Sequence, residues 1–195
     1  ADFDYFKIED KISDCRWADV CYADDELEGH KLDIYLPDTG KSSHKVVVLI
    51  YGSAWFANNM KQNALQVFGR SLLDKGFAVV SINHRSSRDA KFPAQINDVK
   101  AAIHFIRANA AKYKLDTSFI GITGFSSGGH LASLAGTTNG VKSYTIGDKT
   151  VDLEGNVGEY FSFSSRVDAV VDWFGPIDMT RMENCNTTKG ANSPE

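Results

Sequence analysis

The chain has 195 residues, a formal net charge of −4 and 43% hydrophobic residues, enough for one globular domain with a real core. No basic cluster interrupts that mild acidity, which argues against nucleic acid or an anionic membrane surface as partner. The longest apolar run, Val46 to Tyr51, has the length of a strand and falls far short of a bilayer span.

His30 to Leu36 alternates like a half-buried strand, and Pro37-Asp38-Thr39-Gly40 marks the turn after it. Lys45 to Tyr51 is uninterrupted, as expected of a strand covered on both faces. A helix follows with Leu65, Phe68 and Leu72 on one side and Gly76 just past its end. Phe77 to Ile82 is the next buried strand. Pro93 opens the strongest helical pattern, with Ile96, Val99, Ile103, Ile106 and Ala110 on one stripe and Asp98, Lys100 and Arg107 mainly outside it. Phe119 to Thr123 reads as a strand and Gly128 to Thr138 as a helix. Asn139 to Arg166 lacks a strong period and reads as an excursion at the sheet edge. Val167 to Phe174 returns as a strand, closed by Gly175-Pro176. Short β-rich runs alternating with helices are the pattern of an α/β layer with parallel strands. Ser193-Pro194-Glu195 carries the signal of a helix start, which suggests that the polypeptide continues.

Between the strand 119–123 and the helix 128–138 stands Gly124-Phe125-Ser126-Ser127-Gly128. Gly-x-Ser-x-Gly in that setting is the pattern of a nucleophile elbow, a sharp strand-to-helix turn that exposes a serine oxygen. Ser126 Oγ would then attack an acyl carbon. The oxyanion formed needs preorganised donors, and the Ser127 backbone N–H stands at the helix start. The other donor would come from the backbone of Ser53 or Ala54, in Tyr51-Gly52-Ser53-Ala54-Trp55 at the end of an earlier strand. Trp55 and Phe56 either wall a substrate pocket or pack beneath that loop.

Around the elbow the residues resemble a known family. The run Lys91 to Ala102, the elbow with Gly128-Gly129-His130-Leu131-Ala132, and Val170 to Asp178 are similar to α/β-hydrolase esterases of the hormone-sensitive-lipase-like branch. Within that branch the chain resembles bacterial bifunctional feruloyl and acetyl-xylan esterases, from about Val46 to Glu195. The resemblance implies an α/β-hydrolase three-layer sandwich with a mostly parallel central sheet. One domain would span residues 1–195, seen through about its sixth strand, with roughly the last third of the fold absent. It implies a serine esterase acting on small-molecule or carbohydrate esters, with acetyl or feruloyl esters of plant polysaccharide as substrates. No cofactor is expected. Neither nucleic acid nor a membrane is an expected partner. A periplasmic or secreted location goes with that substrate class, and a cytoplasmic one stays open.

Two departures from the family pattern stand out. Tyr51-Gly52-Ser53-Ala54-Trp55 replaces the usual His-Gly-Gly-x-Trp, and serine in place of glycine narrows the allowed backbone. The family's triad runs Ser, acid, His, on loops after two further strands that this chain lacks. His130 sits one helical turn past Ser126, along the helix rather than over the serine. His84 ends a neighbouring strand but falls in the wrong chain order. His30, His44 and His104 read as surface or helix-face residues. Asp172 and Asp178 flank a strand end near the site, and family matching makes neither the triad acid. The expectation is a chain without its general base, inactive alone and able to associate with its own missing C-terminal part. The alternatives are a peptidase of the prolyl-oligopeptidase type and a catalytically incompetent hydrolase-like protein.

Histidines and carboxylates lack metal-ligand spacing. Cys15, Cys21 and Cys185 form neither a disulfide framework nor a zinc pattern. The elbow lacks the lysine of a phosphate-binding loop, which argues against nucleotides.

Overall fold

The computed structural model describes residues 15–182. In chain order the strands are β1 (Cys15–Cys21), β2 (Lys31–Tyr35), β3 (His44–Ile50), β4 (Ala78–Ile82), β5 (Leu115–Phe125), β6 (Ser143–Ile146), β7 (Lys149–Asp152) and β8 (Ala169–Trp173). Six of them form one sheet in the order β1-β2-β4-β3-β5-β8, while β6 and β7 make a separate hairpin. The strands β4, β3, β5 and β8 run parallel, and β2 and β1 extend the sheet antiparallel on one side. The mostly parallel sheet implied by the sequence is therefore observed.

Period-two alternation along β3 divides the interior into two layers. Val46, Val48 and Ile50 face one core, which also holds Ile96, Val99, Ile103 and Ile106 of α3 (Ala94–Ala108) and Leu131 and Ala135 of α4 (Ser127–Thr137). Val47, Leu49 and Tyr51 face the other, against Ala64 and Leu65 and the partly buried Phe68 and Leu72. That second layer is one helical run: α1 (Lys61–Ala64), a π-helical turn over Leu65–Gly69, then α2 (Arg70–Asp74). It closes with the bonds Phe77 N–H to Leu72 O and Gly76 N–H to Leu73 O, with Gly76 at φ 85°. This is a Schellman cap, which requires a left-handed residue at the position where the sequence puts glycine.

Three features differ from the sequence reading. β1 was not anticipated; its pairing with β2 is interrupted by register shifts, which blur the alternation. The segment 139–166 contains the hairpin β6–β7, whose turn is Gly147-Asp148. A Gly-Asp pair between two short β-rich runs is a recognised hairpin signal. Finally, Asp98 and Lys100 are fully buried and His30, His44 and His104 are buried; all but His44 meet partners distant in sequence.

Those partners explain the burial. Asp98 accepts from Arg85 through both its backbone N–H and its guanidinium, at 2.7 Å each, and faces His30 Nε2 at 3.1 Å. Burial lowers the His30 pKa, but the bonds to Asp98 and Asp25 outweigh it and leave the imidazole raised above its ordinary value. On α3, Lys100 Nζ donates to Thr138 O, Val141 O and Glu154 Oε2, and His104 Nε2 meets Glu154 Oε1 at 2.8 Å. The polar side of α3 is thus the seat of the 139–166 excursion, with Asn97 and Arg107 donating to its carbonyls at Asp152 and Ser164.

Glu154 is the sharpest electrostatic feature of that seat. Burial raises its pKa, yet hydrogen bonds from His104, Ser165 and Lys100 and the Lys100 charge bring it down to about 2, from an ordinary 4.5. A depressed carboxyl contributes stability above its unfolded pKa and loses it as pH falls through the folded one. In Glu154→Gln the urea midpoint at pH 7 should fall, by at most about 3 kcal/mol of stability. Denaturant titrations across pH should show the gap to wild type closing between pH 4.5 and 2.

Candidate active site

β5 runs straight into α4, and Ser126 is the single residue between them. It sits at φ 54°, ψ −127°, a conformation that costs a non-glycine residue about 1–3 kcal/mol. Its neighbours hold it there. Ser126 N–H donates to Trp173 O of β8 at 3.0 Å, and Ser126 O accepts from His130 N–H at 3.1 Å. The serine is half-buried, so its hydroxyl is reachable from outside.

The turn is sharp because three backbones touch. A Cβ on Gly124 would lie 2.7 Å from Ile50 O and would overlap the Gly128 carbonyl, while one on Gly128 would overlap Ile50 O and Tyr51 O. On Gly52 it would meet Phe125 O at 2.6 Å and Ser126 Cβ at 2.8 Å. Glycine at these positions lets the ends of β3 and β5 and the first turn of α4 approach main chain to main chain.

The loop after β3 lies directly beside the elbow. Ser53 N–H donates to Ser127 Oγ at 2.9 Å, and Ser53 O accepts from Phe56 N–H at 2.9 Å. Left-handed backbone falls at Ala54 (φ 49°) and Trp55 (φ 61°), not at Ser53. The serine that replaces the family's glycine therefore carries no strain of its own. Ala54 is exposed, and neither its N–H nor that of Ser127 has a hydrogen-bond partner among the described residues. Both amides are free to receive a ligand oxygen.

Trp55 is half-buried, with its indole edge-on to the His130 ring at 5.3 Å between centroids, so it packs against the first turn of α4 next to Ser126. Phe56 beyond it is exposed, under the Arg88 guanidinium.

No described histidine is bonded to the Ser126 hydroxyl. Burial lowers the His130 pKa, more strongly than the Asp172 charge raises it, and its Nδ1 has no partner. His84 stacks on Tyr51 at 4.9 Å with Nδ1 against Arg85 O; burial lowers its pKa and its Nε2 is unpartnered. Asp172 is committed elsewhere, accepting from Gly175 N–H and Ser133 Oγ at 2.7 Å each. Asp178 accepts from Thr180. Two contributors lie outside the expected site set. Gly52 seats the serine, and Tyr51 ties the loop by donating its hydroxyl to Ala57 O at 3.0 Å. The Tyr-Gly step after an apolar strand was their only sequence signal.

A mostly parallel sheet flanked by helices, with a left-handed serine between β5 and the next helix, defines an α/β-hydrolase core. The profile of the BD-FAE family matches residues 32–195, and the chain belongs to that family. It is 34% identical to Esterase LipQ of Mycobacterium tuberculosis over 139 residues, which are 71% of this chain and 30% of that protein. Among solved structures, a bifunctional GH43-CE of Bacteroides eggerthii is 91% identical with a TM-score of 0.89, covering 96% of this chain and 26% of that one. A truncated form of a carbohydrate esterase from gut microbiota is 62% identical with a TM-score of 0.87, covering 91% and 62%. The chain thus spans less than two thirds of the length of each of these three proteins.

Replacing Gly52 by alanine should push the β3 loop off the elbow. Thermal melts should show a loss of about 1–3 kcal/mol, the usual cost of overpacking.

Proposed function

We propose that this chain carries the nucleophile half of a serine carboxylesterase acting on carbohydrate-bound esters, with acetyl and feruloyl groups on plant polysaccharide as its acyl classes. The observation that carries the reading is Ser126, held at positive φ between a sheet strand and a helix with two unpaired backbone N–H groups beside it. Membership of the BD-FAE family and likeness to a carbohydrate esterase support the substrate class. A substrate of that kind goes with a periplasmic or secreted location.

The chemistry follows from the geometry. Ser126 Oγ attacks the acyl carbon, the carbonyl π pair moves to oxygen, and the oxyanion accepts hydrogen bonds from backbone N–H groups. Collapse expels the alcohol, leaving an ester on Ser126, and water then releases the acid and restores the hydroxyl. Each preorganised donor is worth about 3–4 kcal/mol in such a transition state. In this proposal the histidine that takes the Ser126 proton comes from outside the described residues. It must come within hydrogen-bond reach of Oγ, about 2.6–3.2 Å. The solvent-facing edge at β8 is where further sheet would dock.

The test uses the full-length protein and a fluorophosphonate probe, with mass spectrometry to find the label. Labelling should fall on Ser126 and vanish in Ser126→Ala, which should also lose essentially all hydrolysis of p-nitrophenyl acetate and methyl ferulate. Cleavage of proline-containing peptides with no hydrolysis of these esters would favour a peptidase instead. A full-length protein in which Ser126 takes no label would overturn the reading.

A further inference from the structure

The turn that carries Ala54 and Trp55 is clamped at several points. Ser53 N–H donates to Ser127 Oγ, Ser53 O accepts from Phe56 N–H, and Ser53 Oγ accepts from Ala57 N–H at 3.3 Å. Ala57 O accepts from the Tyr51 hydroxyl, and Trp55 O accepts from Ser87 N–H at 2.8 Å. Two consecutive non-glycine residues at positive φ are costly, and such backbone persists only where its surroundings over-determine it. Every one of these bonds except the first ties the loop to its own side of the sheet. Of these hydrogen bonds only the one to Ser127 Oγ reaches the helix that follows the nucleophile, where Trp55 also packs on His130.

We propose that the Ser127 side chain is a positioning group for the oxyanion site, a role that rests on the esterase reading above. Its buried hydroxyl takes the Ser53 N–H, which removes that amide from the set available to substrate and fixes the Gly52–Ser53 peptide, one unit before the peptide that carries the Ala54 N–H. The donors offered to an acyl oxygen are then Ala54 N–H and Ser127 N–H, both without a partner among the described residues. One residue thus acts twice: its main chain donates, and its side chain sets the distance to the other donor. Hydroxyl and amide are 74 positions apart in sequence, and the bond between them joins the loop after β3 to the first residue of α4.

Removing the hydroxyl frees Ser53 N–H and lets the strained turn relax. A displacement of about 1 Å in a positioned donor is enough to cost up to roughly a hundredfold in rate. Because the loss falls on transition-state contacts, it should appear in kcat rather than KM.

The experiment compares wild type and Ser127→Ala as full-length protein on p-nitrophenyl acetate, with thermal midpoints measured in parallel. The expected result is a kcat about ten- to hundredfold lower, KM within about twofold, and a thermal midpoint within a few degrees. Unchanged or raised kcat would overturn the proposal, since a freed Ser53 N–H would then serve as well or better. So would a drop in kcat that merely follows loss of folded protein. A second readout does not depend on turnover: amide hydrogen exchange at Ser53, resolved by fragmentation mass spectrometry. It should be at least tenfold faster in Ser127→Ala, and equal rates in both proteins would overturn the proposal. Should the wild type hydrolyse no ester, the function proposed above fails, while the exchange rates still decide whether Ser127 holds the loop.

Discussion

At Gly52, Gly124 and Gly128 the ends of two parallel strands and the start of a helix come so close that a methyl group has no room. Much else in the molecule follows from that steric constraint. With side chains excluded, the chain must turn from β5 into α4 within one residue, and that residue is forced into the left-handed region. Ser126 is the projecting residue because the positions two before and two after it, Gly124 and Gly128, leave no room for a side chain. The cost of its backbone is met by packing of the sheet beneath it, where β3 and β5 are buried along most of their pairing.

A second layer of interactions keeps that contact in register. The Arg85–Asp98–His30 cluster joins the end of β4, the start of α3 and the approach to β2 inside the core. Its carboxylate is fully buried, so its worth depends on complete pairing. Asp98 accepts from a guanidinium, a main-chain amide and an imidazole, which satisfies its oxygens. The Glu154 seat does the same for the long excursion after α4. In both cases charges on α3 that look solvent-facing in a helical projection are the points where distant chain is anchored.

That contrast explains how much could be read from the residues. The uninterrupted run over Val46–Tyr51 announces a strand covered on both faces, and its alternation correctly distributes side chains between two cores. The elbow is legible because its constraints are local: a strand, two glycines and a serine within a few positions. The burial of His30 and His104 was not legible, since the carboxylates that meet them, Asp98 and Glu154, lie far away in sequence. β1 escaped because register shifts break its period, and β6–β7 because four-residue strands carry too little pattern. Concern over serine at position 53 was placed one residue early: the left-handed backbone begins at Ala54. The bond from Ser53 to Ser127 joins two loops that no periodicity relates.

Trp173 offers an outlet from the buried site to the surface. Its carbonyl holds the amide of Ser126, while its indole stacks on Phe68 at 5.4 Å and remains nearly half exposed. One end of the residue is fixed to the turn, and the other is open to solvent quenchers. Anything that shifts the turn, or that covers the rim of the sheet, alters the environment of that ring. With Trp17 and Trp55 replaced, the emission of Trp173 would therefore serve as an optical gauge of the posture of the serine it holds.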